Sequence, residues 1–513
     1  MNEHRRRPNR LFEILSMSSV AVAAVSFMVW LPRPAIPLID GDVWWHIRAG
    51  EEVLDTGRIP HVDTWSIVGA GKDWTSQDWL SNIVLALGFR LGENGPTVLS
   101  LLFSLMAVAA LVLLWWASRR RASGTGWLSP LIWLTIGLTV AGPTLGVRVQ
   151  VVDLPLAAAA LAVMWSYLAR RRPVALLWLP LIALAWANLH AGWLLLFLLG
   201  GAVVVGEATD RAVGRRSESG PLTWKQIGWL AGALIGSLAA ISLNPNGAEL
   251  YLYPLVTSSI QAHRDFLAEW SAPDLSTLTG QLFAGFVAIG VLPTLVFAWK
   301  RMRTADVLIL VGLTVMAATA ARFLLVAGPI GAAIVAIGLG PVISRTRAGK
   351  AMEPVLTRMA APPRTRRIGL VNLSLAVVIS LTGVFVAAAR VSPGAQHEAI
   401  SQHMPVAAVD WIVANSPGVR PFNTYSWGGY LGLRRPDAPV YIDGRSDIYG
   451  DEPIRRYADA ISLRTDPAVI LDEHEIDYVL FNTDHPFADW LNESESWDRA
   501  YTDAQASVWV RRP

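Results

Sequence analysis

Long apolar stretches recur along the chain and are separated by short polar segments. Because the ~30 Å apolar core of a bilayer needs about 20 residues of helix, each such stretch predicts a membrane span. We predict about eleven spans, near residues 11–31, 94–117, 126–142, 150–169, 173–189, 191–208, 226–243, 279–299, 304–320, 322–343 and 368–389. The pattern therefore indicates an all-α polytopic transmembrane bundle.

Basic residues collect in the short segments on one side of these spans. They lie at 5–7, 119–121, 170–172, 215–216, 300–303 and along 345–367. Lys and Arg are enriched in cytoplasmic loops, so this alternation predicts a cytoplasmic N-terminus. With an odd number of spans, the C-terminal segment lies on the outer side, together with the loops 32–93 and 244–278.

The character of the chain changes after residue 389. Short β-prone runs at 440–443, 478–481 and 506–510 alternate with helical patterns such as those at 404–414 and 454–463. The chain is therefore predicted to consist of a transmembrane module, 1–389, and a small extracytoplasmic α/β domain, 390–513.

The composition supports a lipid-facing surface. Hydrophobic residues make up 53% of the chain and charged residues 16%, against about 25% charged in ordinary soluble proteins. The 23 Trp residues fit membrane interfaces, where this side chain is enriched. The absence of Cys excludes disulfides, thiolate metal ligands and a Cys nucleophile.

The first predicted outer loop begins with two aspartates within three residues. Asp40 and Asp42 lie just beyond the first span, and His46 follows closely. A carboxylate here can accept a proton from an attacking hydroxyl or hold a divalent ion against a phosphate. The alternative is structural, because Asp is a favoured N-cap and Asp40 precedes a predicted helix.

Two amphipathic helices are predicted in this loop, from Trp44 to Leu54 and from Ser76 to Phe89. Both are expected to lie along the membrane interface. Trp44 and Trp45 are interpreted as interface anchors rather than as ligands, because Trp collects at that depth.

Polar residues gather at the outer turns of the predicted bundle. Such residues beside a bilayer are costly and often functional. Arg148 and Arg322 offer guanidinium groups for the phosphate of a lipid-linked substrate. The alternative is that each pairs structurally with Asp153, Glu269 or a backbone carbonyl. The candidate substrate-binding residues at these turns are Arg148, Gln150, Asn188, His190, Glu269 and Arg322, with His46 from the first loop.

Three residues of the C-terminal segment complete the candidate site. Trp427 lies in an aromatic turn, and Asp443 and Arg445 follow a predicted strand. They are candidates for binding the acceptor or covering the sugar. The favoured alternative is that Arg445 and nearby carboxylates form an ion-pair network that docks this segment on the membrane part.

The motifs and their order resemble a widespread bacterial family of polytopic membrane proteins. They are D-x-D-x-W-W-H, G-x-I-P-x-x-D, W-x-N-L-H, L-N-P-x-G and E-W-x-x-P, followed by FNTYSWGGY at 422–430 and YIDGRSDIY at 441–449. That family resembles the GT-C membrane glycosyltransferases. This class includes protein mannosyltransferases, oligosaccharyltransferase catalytic subunits and lipid A aminoarabinose transferases.

The resemblance implies an activity and its partners. The donor would be a polyprenyl-phosphate-linked sugar, and inverting transfer of a hexosyl or pentosyl group would use an acidic base matching Asp40 or Asp42. The acceptor would be an envelope glycan, lipid or protein at the bacterial cytoplasmic membrane; no nucleic acid partner is expected. Some GT-C enzymes use a divalent metal, so Mg or Mn at Asp40 and Asp42 stays open.

Two other functions are compatible with a polytopic chain. A transporter or flippase predicts charges at mid-membrane depth and repeated halves, whereas the polar residues here gather at one face. A non-catalytic scaffold for envelope assembly would keep the architecture without the chemistry. An outer cavity reached by the first-loop carboxylate would favour an enzyme over a scaffold.

Overall fold

The computed structural model describes residues 10–121, 127–215 and 220–513. The basic run at 5–7 and Arg216 lie outside these residues. Up to Arg390 the described chain is mainly helical, with α1 (Arg10–Leu15), α2 (Ser18–Trp30), α3 (Asp42–Thr56), α4 (Trp79–Phe89), α5 (Gly95–Ser118), α6 (Leu128–Ala141), α7 (Asp153–Arg170), α8 (Trp178–Leu189), α9 (Leu194–Ala212), α10 (Trp224–Ile241), α11 (Tyr253–Ser259), α12 (Gln261–Phe266), α13 (Leu278–Phe286), α14 (Leu292–Phe297), α15 (Thr304–Thr319), α16 (Leu324–Ile343), α17 (Arg347–Met359) and α18 (Arg366–Arg390).

Each predicted span coincides with a helix, but the predicted number of spans is not confirmed. Within the described ranges, six helical segments are long and apolar enough to cross a membrane: Gly92–Ser118, Val149–Arg170, Ala191–Ala212, Leu278–Phe297, Ala321–Ile343 and Arg366–Arg390. Other predicted spans are shorter; Ser18–Trp30 has 13 residues and is about 20 Å long at ~1.5 Å per residue. The chain is thus a multi-pass membrane protein with six clear candidate spans.

Helix α16 forms the centre of the bundle. All its residues from 324 to 340 are buried, because a helix that is apolar on every side must be surrounded by protein or lipid. It packs most extensively on α6, where Gly137 and Gly328 meet. A Cβ on either glycine would overlap the backbone of the other helix, so the close crossing requires both glycines.

The C-terminal segment contains helices and one small sheet. The strands β1 (Pro421–Asn423), β2 (Tyr478–Asn482), β3 (Trp497–Thr502) and β4 (Ala506–Arg511) are ordered β1-β2-β4-β3. Only β1 and β2 run parallel. The helices around the sheet are α19 (Pro393–His403), α20 (Val406–Asn415), α21 (Gly428–Arg434), α22 (Ser446–Tyr449), α23 (Asp451–Ile461), α24 (Pro467–Glu473) and α25 (Pro486–Glu493).

The strand prediction is correct in part. The runs at 478–481 and 506–510 form β2 and β4, whereas the strand expected at 440–443 is wrong. Val440 instead bonds to the first loop: its N–H donates to the Trp65 carbonyl and its carbonyl accepts from Ile67, both at 2.8 Å. These backbone groups are satisfied outside the sheet, which explains why a β-prone sequence does not join it.

The apolar face of α3 is covered by protein, whereas α4 exposes Val84 and Leu87. Trp44 is 2% exposed and its ring packs edge-on against Phe89 and Tyr430, at centroid distances of 6.2 and 5.0 Å. Trp45 is buried as well. The interpretation of both Trp residues as interface anchors is therefore wrong, because α21 of the C-terminal segment covers the apolar face of α3.

A buried arginine joins the first loop to the C-terminal segment. The Arg445 guanidinium lies 2.8 Å from both Asp63 and Asp443. It also lies 4.5 Å from the Trp65 ring and 4.7 Å from the Trp74 ring. We call these five residues the Arg445 clamp. It matches in part the docking network that the sequence analysis gave as the alternative for Arg445: Asp443 belongs to it, but the second carboxylate is Asp63 of the first loop and not Asp447.

Replacing the clamp arginine should destabilise the protein strongly. Arg445→Met would leave the buried Asp63 and Asp443 carboxylates unpaired, which costs about 3–5 kcal/mol. Thermal and denaturant unfolding of the full chain in detergent would measure the loss. The control is Arg434→Gln, because the Arg434–Asp410 pair is half exposed and such pairs contribute about 0–1 kcal/mol. Equal losses in the two variants would contradict the assigned role of Arg445.

Candidate functional site

A cavity of about 790 Å³ opens where the first loop, the loop 244–278 and the C-terminal segment meet at one end of the bundle. Seven of the twelve residues predicted for the site line it: Asp42, His46, Arg148, Gln150, His190, Glu269 and Arg322. The other five do not: Asp40, Asn188, Trp427, Asp443 and Arg445. The structure thus brings together most of the residues predicted from separate loops.

Asp40 has a structural role on both of its oxygens. Its Oδ1 accepts the backbone N–H of Asp42 at 2.9 Å, which orders the turn that begins α3. Its Oδ2 lies 2.6 Å from Nη2 of Arg148. The ion-pair interpretation therefore holds for Asp40, whereas the N-cap of α3 is Gly41 and not Asp40. Arg148 pairs with Asp40 and with Glu269 rather than with Asp153.

Asp42 is the carboxylate that faces the cavity. Its side chain is exposed on the wall of the cavity. Desolvation by the protein packed around it, followed by the negative charges of Asp40 and Glu269, raises the pKa of Asp42 well above its usual range; Arg148 opposes the shift. Gly444 of the C-terminal segment packs directly on the carboxylate, and a Cβ there would overlap Oδ1.

His46 lies one helical turn after Asp42 and on the same face of α3. Its Nδ1–H donates to Asn82 Oδ1 at 2.7 Å, and Asp78 Oδ2 lies 3.2 Å away. Burial lowers the pKa of His46, so the imidazole is neutral at physiological pH. The Trp45 ring stacks on it at 3.5 Å. His46 therefore presents a fixed neutral ring to the cavity.

Two guanidinium groups flank one carboxylate on the opposite wall. Arg148 Nη1 lies 3.4 Å from Glu269, and Arg322 Nη1 lies 3.7 Å from it. The distance between Arg322 and Glu269 is that of an ion pair and is too long for a hydrogen bond. The N–H donors of Arg322 therefore stay available to a ligand. The Arg322 guanidinium also stacks 4.1 Å above Trp270, which fixes its orientation.

His190 is held by the start of α7. Its Nδ1 lies 2.8 Å from Asp153 Oδ1, which also accepts a hydrogen bond from Trp186 Nε1 at 2.7 Å. The backbone N–H of Gly192 lies 3.2 Å from the same His190 nitrogen. Because Nδ1 is used internally, Nε2 is the ring nitrogen that can meet a ligand in the cavity.

Two predicted residues hold loops together away from the cavity. Asn188 Oδ1 accepts hydrogen bonds from Trp79 Nε1 at 2.9 Å and from Asn244 Nδ2 at 3.3 Å. It thereby connects α8 to α4 and to the turn that starts the loop 244–278. Trp427 is buried, and its Nε1 donates to the His403 carbonyl at 3.1 Å.

The C-terminal segment supplies cavity residues that the sequence analysis did not select. Tyr425, Gly444, Ser446 and Asp447 all line the cavity, together with Tyr253 from the loop 244–278. Within 443–446 the residues alternate: Asp443 and Arg445 enter the clamp, whereas Gly444 and Ser446 face the cavity. The sequence carried no local signal for these positions, because the chain turns here: Ser446 begins α22 and its N–H donates to the Gly444 carbonyl at 2.9 Å.

Asp447 links two of the cavity walls. Its Oδ2 accepts the hydroxyl hydrogen of Tyr253 at 3.0 Å. Burial raises the pKa of Asp447 to about 6, although the Tyr253 hydrogen bond opposes this shift. The carboxyl thus changes charge near neutral pH at the contact between the loop 244–278 and the C-terminal segment.

The two first-loop aspartates do not form a preformed metal site. Among the residues that the structure describes, no group of three or more His, Asp or Glu side chains is placed to hold a metal ion. Arg148 already engages Asp40, so of these two aspartates only Asp42 is left to meet a cation. The suggested ligand pair for Mg or Mn is therefore not assembled.

An apolar groove of about 320 Å³ adjoins the cavity. Leu194 and Leu198 of α9 form one side, and Leu325 and Val326 of α16 form the other. We call it the α9–α16 groove. It shares lining residues with the main cavity, among them Gln150, His190, Tyr253, Trp270 and Arg322. The polar cavity therefore continues into an apolar groove along membrane helices.

The charge of Asp447 should affect stability in a defined pH window. Because its folded pKa of about 6 lies above the value of about 4 for a free carboxyl, ionisation costs stability as pH rises between them. Asp447→Asn removes this cost. The melting temperature of the variant minus that of wild type should therefore increase with pH across that window and stay constant at higher pH. Thermal scans of both proteins over a pH series would measure the difference.

The matched control is Asp274→Asn. Hydrogen bonds from Ser276 lower the pKa of Asp274, so this residue gains its charge below the window. The melting temperature of Asp274→Asn relative to wild type should therefore stay constant between pH values of about 4 and 6. A constant difference for Asp447→Asn as well would contradict the role given to Asp447.

Comparison with known proteins shows the fold. No family model and no curated protein matches the sequence. The Archaeoglobus fulgidus oligosaccharyltransferase in the apo form matches with a TM-score of 0.55 and 12% identity, over 90% of this chain and 69% of that one. The oligosaccharyltransferase AglB from the same organism, in complex with an inhibitory peptide and a dolichol-phosphate, matches with a TM-score of 0.53 and 11% identity over the same shares of the two chains. Apo ArnT from Cupriavidus metallidurans gives 0.51 and 14%, over 96% of both chains. Both proteins are GT-C glycosyltransferases, and this chain has the GT-C fold predicted from its motifs.

Proposed function

We propose that the protein is a membrane glycosyltransferase that moves a sugar from a polyprenyl-phosphate-linked donor to an acceptor hydroxyl. The observation that carries the proposal is the cavity in which Asp42 faces two arginines and from which an apolar groove leaves. A carboxylate, cationic groups and a lipid-sized groove are the parts that this reaction needs. The open path to Asp42 favours an enzyme over a scaffold.

The α9–α16 groove and the residues at its mouth suit a polyprenyl phosphate. Leu194 and Leu198 are 41% and 48% exposed, so an isoprenoid chain could cover them. At the mouth, Arg322 offers N–H donors. A guanidinium binds phosphate oxygens in a bidentate manner, so Arg322 would hold the phosphate at the junction of groove and cavity. AglB, which shares the fold, has been solved with a dolichol-phosphate.

Asp42 is the better candidate for the base. Its raised pKa makes the ionised carboxylate a stronger proton acceptor than an ordinary Asp. Asp40 is held by Arg148 and by the backbone of α3, so each of its two oxygens is already engaged within the protein. Asp40 would instead keep Arg148 and the start of α3 in place.

The reaction then proceeds in one displacement. Asp42 takes the proton of the acceptor hydroxyl while the hydroxyl oxygen forms a bond to the anomeric carbon of the sugar. The bond from that carbon to the phosphate oxygen breaks, and its electron pair leaves with the polyprenyl phosphate. Arg322, with Arg148 nearby, would stabilise the charge that develops on the leaving phosphate. Attack opposite the leaving group inverts the anomeric configuration.

We propose the following placement in the cell. The segment 1–389 is the transmembrane module and 390–513 an extracytoplasmic α/β domain of a bacterial cytoplasmic membrane protein. The support is that basic runs such as 119–121 and 300–303 lie at the ends of the helices opposite the cavity, as the enrichment of Arg and Lys in cytoplasmic loops requires. The cavity then opens on the outer face, where the acceptor would be an envelope glycan, lipid or protein.

Replacing Asp42 and Asp40 separately should distinguish a base from a positioning residue. Asp42→Asn should lower the transfer rate by about 100- to 10,000-fold, the usual range for losing a general base. Asp40→Asn should lower it by on the order of tenfold, because Arg148 loses one partner. Transfer from a radiolabelled polyprenyl-phosphate sugar by purified protein would be measured. Full activity of Asp42→Asn, with normal folding, would exclude this residue as the base.

The donor site can be tested by binding alone. Arg322→Gln removes the charged donors at the groove mouth and should weaken binding of farnesyl phosphate about 10- to 100-fold. Leu198→Trp narrows the groove and should therefore weaken the binding of a long polyprenyl phosphate. The binding of the shorter farnesyl phosphate should be affected less. Calorimetry in detergent would give both affinities. Arg264→Gln is the control, since this exposed arginine does not line the groove. Unchanged affinity in Arg322→Gln would refute the assigned phosphate site.

A further inference from the structure

A second apolar groove, of about 410 Å³, reaches the same cavity from another side of the bundle. Met28 and Val29 of α2, Leu282 of α13 and Val386 of α18 form its apolar wall. We call it the α2–α18 groove. Helices α13 and α18 belong to segments long and apolar enough to cross a membrane, so the groove opens sideways towards lipid.

Two arginines stand at the end of this groove. Arg33 follows α2 directly and Arg390 is the last residue of α18, and both side chains are exposed. Among residues 10–121, 127–215 and 220–513, neither has a carboxylate within 4.0 Å. The Arg33 guanidinium packs over Gly142, where a Cβ would lie 3.1 Å from Nη2. Two unpaired guanidinium groups beside an apolar groove match a ligand with a phosphate head and apolar chains.

The groove is continuous with the cavity of Asp42. Pro143 and Thr279 line both spaces. From Pro143 the chain runs through Thr144 to Arg148, which also line the cavity and end beside Asp40. A molecule held by Arg33 and Arg390 therefore has a direct path to the reacting groups, which an ordinary lipid on the protein surface would lack.

We propose that the acceptor is an anionic lipid. Its phosphate is bound by Arg33 and Arg390, its chains occupy the α2–α18 groove, and its hydroxyl extends past Pro143 to Asp42. The donor enters by the α9–α16 groove, which shares no lining residue with the α2–α18 groove, so two lipids meet in one cavity. The assignment as acceptor rests on the proposed transferase function; the binding site itself does not.

Binding experiments test the site without turnover. The full chain in neutral detergent is titrated with dioleoyl phosphatidic acid, and with farnesyl phosphate as the donor-side probe. The double variant Arg33→Gln/Arg390→Gln should bind phosphatidic acid at least about tenfold more weakly and farnesyl phosphate as wild type does. Leu282→Trp fills the groove and keeps both arginine charges, so it should also weaken the binding of phosphatidic acid.

The matched control is Arg366→Gln/Arg367→Gln, two exposed arginines at the opposite end of α18. This variant should bind both probes as wild type does. An equal loss in the two double variants would show attraction by general surface charge and overturn the proposal. So would unchanged binding of phosphatidic acid by both Arg33→Gln/Arg390→Gln and Leu282→Trp.

Transfer assays separate this proposal from the proposed function. If wild type transfers sugar and Arg33→Gln/Arg390→Gln transfers equally fast to every acceptor tested, the lipid acceptor is refuted while the transferase stands. If neither wild type nor any variant transfers sugar, but phosphatidic acid binds to wild type and more weakly to Arg33→Gln/Arg390→Gln, the transferase is refuted and the lipid site stands. A loss of transfer in the double variant, with Arg366→Gln/Arg367→Gln unaffected, supports both.

Discussion

The buried charge of Arg445 is the constraint on which the candidate site depends. A guanidinium that is 1% exposed must be paired, and its partners come from two distant parts of the sequence, Asp63 and Asp443. The pairing fixes the first loop against the C-terminal segment. It also fixes the neighbours of Arg445: Gly444 packs on the Asp42 carboxylate, and Ser446 faces the cavity. The C-terminal segment therefore shapes the site without supplying the proposed base.

The charges in the cavity are arranged so that Asp42 keeps a high pKa beside two arginines. A free guanidinium next to Asp42 would lower its pKa and weaken it as a base. Arg148, however, is neutralised by Asp40 on one side and by Glu269 on the other. Glu269 also restrains Arg322. Positive charge is thus available in the cavity while the pKa of Asp42 stays raised, and the proposed transferase requires both.

Two grooves connect the polar cavity with the membrane helices. Helix α6 packs on α16, which lines the α9–α16 groove, and also contacts α2 and α13, which line the α2–α18 groove. Both grooves end at the polar cavity, and each has arginine at its mouth. Lipids that carry a phosphate head can therefore keep their chains in an apolar environment while their polar ends meet. Water-exposed loops and lipid-exposed helices contribute to one site because the site lies at their boundary.

Local sequence was sufficient to locate the helices and the end of the bundle at which the polar residues gather. Hydrophobic stretches specify helices wherever no water is available to the backbone. Polar residues at the turns gather on one face for the same reason. Whether a helix such as Ser18–Trp30 spans the membrane could not be read in this way, because the extent of each helix depends on its turns and neighbours.

The sequence by itself therefore determined the helical membrane class, the end of the bundle at which polar residues gather and seven of the residues that line the cavity. Only the tertiary structure decided their roles. Asp40 and Asp42 are equivalent in sequence, but Arg148, 106 or more residues further along the chain, engages one and leaves the other. Trp44 reads as an interface residue until α21 covers it. Such choices depend on which distant group fills the space beside a side chain, and that information is not local.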